Sequence, residues 1–149
     1  MKQAIASLLL AASAAAAWAD AAAPVTVEGA WARATVAGQD STGAYMTLTA
    51  REPLTLLAAE TPAAGIVEIH EMKMVGDVMK MRAMETLPLE VGKPVKLAPG
   101  GLHLMLMDLK APFKAGTNVA MTLRFRDAKG KVSTLPLTVP VKAGPMAKH

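Results

Sequence analysis

The sequence predicts an all-β domain, a β-sandwich or Greek-key barrel, and three observations carry that prediction. Short runs of alternating apolar and polar residues recur from Val25 to Val141. Clusters of Gly, Pro, Asp and Thr separate them. No amphipathic helical pattern runs longer than about two turns. Strands of this length at this spacing belong to one sheet that is closed or packed in two layers.

Taken in order, the first run is Val25 to Ala34, which ends before Gly38-Gln39-Asp40. Ala44 to Arg51 and Leu54 to Glu60 follow, the second stopped by Thr61-Pro62. Ile66 to Val75 and Val78 to Leu87 flank Gly76-Asp77, a two-residue loop of the kind that makes a tight hairpin. That register sets Met74 opposite Met79, Met72 opposite Met81 and His70 opposite Ala83. His70 and Met81 then lie diagonally on one face, about 7–8 Å apart at the backbone.

Val95 to Leu97 comes after Gly92-Lys93-Pro94, and Leu102 to Leu109 after Pro99-Gly100-Gly101. Successive strand side chains point to opposite faces, so Leu102, Leu104 and Leu106 form a core face while His103, Met105 and Met107 share the other. Val119 to Arg126 and Val132 to Val141 complete the set.

Residues 1–19 read as a secretory leader: Lys2 is a short positive start, Ala4 to Ala17 is apolar, and Ala17-Trp18-Ala19 offers a small-x-small cleavage pattern before Asp20. The apolar stretch is short for a membrane span, so export to the periplasm is expected rather than stable membrane insertion. A single β domain is expected over 20–141, with a loose tail over 142–149. The chain has no cysteine. That excludes a lipid-carrying cysteine, a disulfide framework and thiolate metal sites, blue-copper centres included.

The formal net charge of +4 comes from scattered basic residues without interleaved aromatics, which argues against nucleic acid as a partner. Catalysis is not expected either, because no nucleophile, base and orienting residue form a set. Aromatic residues make up only 3% of the chain while methionines number 11. Leu, Val, Ala and some Met must therefore fill the core.

Two segments each offer an imidazole and a thioether on one strand face: His70 with Met81, and His103 with Met105. Thioether sulfur is soft and neutral; it suits Cu(I) and serves zinc, calcium or magnesium poorly. Four neutral donors would leave a bound monocation that ligand exchange can release, which fits a carrier better than a catalyst.

The joint spacing is His-x10-Met-x21-His-x-Met, and with it the chain resembles the periplasmic copper chaperone family called PCu(A)C. The likeness extends to "GAWARAT", "GAYMTL", "VEIHEMKMVGDVMKMR", "LAPGGLHLMLMDL", "VAMTLRF" and "LPLTVPV", and so covers nearly all of 20–141. The resemblance implies a single-domain, cupredoxin-like Greek-key β-barrel or sandwich that binds one Cu(I) per chain through His70, Met81, His103 and Met105. It implies a monomer that delivers copper to the dinuclear centre of cytochrome c oxidase subunit II, alongside a Sco-type copper chaperone. A periplasmic copper-sequestering or resistance protein would use the same ligands, and a metal-free β-sandwich interaction module is the third reading.

All four motif positions are matched. The tail, with only Met146 and His149, is poorer in metal donors than that of some relatives. Met72, Met74, Met79 and Met107 share the ligands' faces and are expected to form an apolar rim. Glu71 and Asp108 are expected to point away, and Trp31 and Tyr45 to pack.

Overall fold

A computed structural model describes residues 23–144. The leader and the tail residues Met146 and His149 lie outside the described residues. Ten strands follow one another: β1 (Val25–Arg33), β2 (Ser41–Ala50), β3 (Leu54–Glu60), β4 (Ala64–Val75), β5 (Val78–Met84), β6 (Leu87–Leu89), β7 (Val95–Leu97), β8 (His103–Leu109), β9 (Asn118–Asp127) and β10 (Val132–Lys142). They lie in the order β5-β4-β8-β2-β1-β10-β9-β3-β6, with β7 also on β2. The named strand pairs are antiparallel except β1 with β10. The fold is all-β and of the cupredoxin-like Greek-key type.

One buried cluster draws on both halves of this path: Leu48, Leu104 and Leu106 from one, Leu56, Leu123, Phe125 and Val139 from the other. The sheet is therefore folded over on itself. Each fully buried Leu or Phe contributes about 1.5–3 kcal/mol by leaving water, and in a chain without cysteine this core carries the stability that disulfides supply elsewhere. Leu104 and Leu106 are fully buried and Leu102 packs against them, so the leucines of 102–106 do form a core wall.

The strand runs fall close to where the alternation places them, with two differences. β2 begins at Ser41, three residues before the expected Ala44. Val78 to Leu87 is not one strand: it stops at Met84, and Leu87–Leu89 crosses to pair with β3 instead of β4. Leu87 and Leu89 are buried with Pro88 exposed between them. Two core leucines thus pull the chain to the other half of the sheet.

Three local irregularities aim side chains. The β1–β2 register shifts between Glu28 and Trp31, and Gly29 there has φ +62°, a left-handed conformation that glycine adopts without a Cβ clash. The extra residue reverses the pleat: Val25 is buried before it and Ala32 after it, which turns Trp31 to the outer face. Next, β2 pairs with β8 over Ser41–Ala44 and with β7 over Met46–Leu48. Between β7 and β8 the chain loops out over Ala98–Leu102, closed by bonds from Ala98 N–H to the Leu102 carbonyl and from Gly101 N–H to the Ala98 carbonyl. Asp108, at φ +57°, ends the regular alternation of β8.

Candidate metal centre

The hairpin register is the one the Gly-Asp loop predicts: His70 pairs with Ala83, Met72 with Met81, Met74 with Met79 and Val75 with Val78. On the other edge of β4, His70 stands directly opposite His103, Glu68 opposite Met105 and Ile66 opposite Met107. The two imidazole centroids are 5.6 Å apart, with the rings inclined at 66°. Both histidines are buried, at 9% and 5% exposure, yet they lie on the face opposite the leucine wall. Neighbouring side chains, not the core, cover them.

Each ring is held through one nitrogen. The Nδ1 of His103 lies 2.9 Å from the carbonyl of Gly101. A carbonyl only accepts, so Nδ1 carries the proton and Nε2 keeps its lone pair. The Nε2 of His70 lies 2.7 Å from a Glu68 carboxylate oxygen and donates to it. Its Nδ1 is buried and has no hydrogen-bond partner among the described residues. A buried, unpaired nitrogen is costly unless something binds it. This is the usual arrangement of a metal-binding imidazole, one nitrogen oriented by a carboxylate or carbonyl and the other left for the ion.

The thioethers flank the pair. Met105 lies two residues along β8 from His103, half-buried; Met81 lies diagonally across β5 from His70 and is 47% exposed. They sit on opposite sides of the imidazole row, since Met105 is level with Glu68 and Met81 with Met72. Met72, two residues from His70 on the same strand and half-buried, is one strand nearer to the pair than Met81. Among the described residues no three His, Asp or Glu side chains group as a metal site. Any ion held here would need sulfur to complete its ligands, which favours a soft cation.

An aromatic wall closes one side. Trp31, turned outward by the bulge at Gly29, packs on Tyr45 with ring centroids 4.7 Å apart and planes inclined at 42°, and the Tyr45 ring lies 6.4 Å from that of His103. The Arg33 guanidinium sits 5.9 Å from the Tyr45 ring centre. The Tyr45 hydroxyl lies over Gly43, where a Cβ would collide with it. Trp31 and Tyr45 are packing residues, as expected, and Tyr45 links the pair to His103.

Glu71 accepts from Arg82 at 2.7 Å, and its alternation places it on the other face of the hairpin. Asp108 is exposed, with a carboxylate oxygen 3.6 Å from the Lys110 ammonium. Sequence reasoning missed Glu68, the carbonyl of Gly101 and the contact of Tyr45 with His103. Only Glu68 left a local signal, its i, i+2 spacing to His70 on one strand face.

The model of the family described as "Putative lipoprotein LpqE-like" matches residues 25–141. The protein named "Putative lipoprotein Lxx21020", from Leifsonia xyli subsp. xyli (strain CTCB07), is 35% identical over 119 residues, 79% of this chain and 69% of that protein. Among solved structures, the chain is similar to the solution structures of DR1885 from Deinococcus radiodurans, apo and CuI forms. Identity is 34%, with TM-scores of 0.61 and 0.62 and coverage of 86% of this chain and 85% of that one. The apo PCuAC domain from PmoF1 superposes with a TM-score of 0.66 at 24% identity, over 82% of this chain and 96% of that one, a likeness of fold.

Proposed function

This chain belongs to the LpqE-like family, and from that premise we propose that it is an exported copper carrier. It binds one Cu(I) between His70 and His103, with Met105 and Met81 as the sulfur donors. The observation that carries this reading is the facing imidazole pair, each ring oriented through one nitrogen and offering the other. A solved CuI form of DR1885, 34% identical, supports copper as the metal. The four donors are neutral, so the bound ion keeps a single charge and is passed on by stepwise ligand exchange.

Delivery to the dinuclear copper centre of cytochrome c oxidase subunit II, in concert with a Sco-type protein, is the role that the resemblance to the PCu(A)C family implies. The chain works as a monomer and performs no catalysis of its own. Its family carries a lipoprotein name, yet these 149 residues include no cysteine to hold a lipid. The periplasm is the compartment in which this carrier acts.

X-ray absorption on the Cu(I)-loaded chain tests the ligand set: sulfur and nitrogen scatterers in similar number are expected. A nitrogen and oxygen shell would overturn it. Mixing the loaded chain with an apo subunit II domain tests the role, because transfer is expected of a carrier and retention of a sequestering protein.

A further inference from the structure

The β4–β5 hairpin has two unlike faces. Glu71, Lys73, Lys80 and Arg82 share one, with Arg82 bonded to Glu71 and Lys73 opposite Lys80. Met72, Met74, Met79 and Met81 share the other, as two directly opposed pairs in adjacent rows. Met74 and Met79 are 55% and 46% exposed. Methionine in a core needs only packing to explain it, as at the buried Met46 and Met121. These four do not fill the core.

The geometry suits a soft cation. Opposed side chains on an antiparallel pair have their Cβ atoms about 4.5–5.5 Å apart and diagonal neighbours about 7–8 Å. Methionine is unbranched with three rotatable bonds, so three of these sulfurs can turn toward one ion while the backbone stays in place. The four side chains of this face offer neutral thioether sulfur and nothing else, a donor set that selects Cu(I) over zinc, calcium or magnesium. If apolar character alone were required, Leu or Val would supply it without sulfur's liability to oxidation.

We propose that Met74 and Met79, with Met72 as the third donor, form a second, weaker, sulfur-only Cu(I) site toward the tip of the hairpin. Its place in the register makes it an entry and exit point: Met74–Met79, then Met72–Met81, then His70 form successive rows on one face. The ion moves along them by exchange of neutral ligands, with no change of oxidation state. This site goes beyond the His70–His103 centre and rests on different residues.

Anaerobic titration of the full chain with Cu(I) against a chromophoric chelator tests it. The native chain is expected to take two equivalents, the second at least tenfold weaker than the first. Met74→Leu/Met79→Leu keeps the size and apolar surface and should take one, with unchanged affinity. His70→Ala/His103→Ala should keep only the weak one. A single equivalent in the native chain, or two in the leucine variant, overturns the second site; a histidine variant that binds as tightly as the native chain overturns the imidazole centre instead. Ag(I), added to the histidine variant carrying 13C-methyl methionine, should shift the methyl resonances of Met74 and Met79, and unshifted signals would likewise refute it.

Discussion

His70 and His103 face one another across the β4–β8 ladder with ring centroids 5.6 Å apart, and each is oriented by a partner on its own strand or the loop before it. Loss of either ring should weaken Cu(I) binding by more than about 100-fold, beyond the upper end of what removing an orienting residue costs. Chelator competition under anaerobic conditions measures this in His70→Ala and His103→Ala. An affinity within tenfold of the native value in both would sink the assignment.

Glu68 holds His70 without being needed as a ligand. Glu68→Ala should lower Cu(I) affinity by about 10–100-fold, with stability barely altered because Glu68 is exposed. A thermal melt of the apo chain beside the same competition assay separates the two effects. Equal loss in both would make Glu68 a structural residue.

How much of this was legible in the sequence depended on how local the cause was. The β4–β5 pairing could be read because Gly76-Asp77 leaves one register for a two-residue loop, and the leucine face of β8 because alternation is a property of a single strand. The opposition of His70 and His103 could not, since it depends on how β8 docks on β4, strands that follow no tight turn. The same holds for the break at Met84: no Gly or Pro interrupts Met84-Glu85-Thr86-Leu87, and only the remote partner β3 decides where Leu87 goes. Tyr45 reaches His103 through pairing of β2 with β8, again a relationship between distant segments.

Gly43 is required for the aromatic wall. A methyl group there would meet the Tyr45 hydroxyl and ring, so Gly43→Ala should destabilise the fold by about 1–3 kcal/mol, the range for overpacking. Urea unfolding reads the shift in midpoint. An unchanged midpoint would mean that Tyr45 swings clear at no cost.

Leu104→Ala opens a cavity behind His103. At a fully buried leucine the expected loss is about 2–5 kcal/mol. Calorimetry of apo and Cu(I)-loaded chains checks it: at one hundred times its dissociation constant the metal should restore about 2.7 kcal/mol. No stabilisation by Cu(I) in the native chain would count against any native-state site.

Peroxide should convert Met74, Met79 and Met81 to sulfoxides well before Met46 and Met121, because the first three are exposed and the last two are buried. Bound Cu(I) should slow the first group alone. Peptide mass spectrometry after brief exposure shows the order, and uniform oxidation of all five would contradict the exposed thioether face.

The parallel pairing of Ala32 with Val141 joins the first strand of the domain to the last. Contacts so far apart in the chain are slow to form, since a long loop must close before they are made. As the chain folds, β1 lacks that neighbour until β10 is in place. Assembly of the sheet, and with it the rigid frame behind the histidines, therefore waits for the last strand, so the order of the strands also sets when the imidazole pair is held in place.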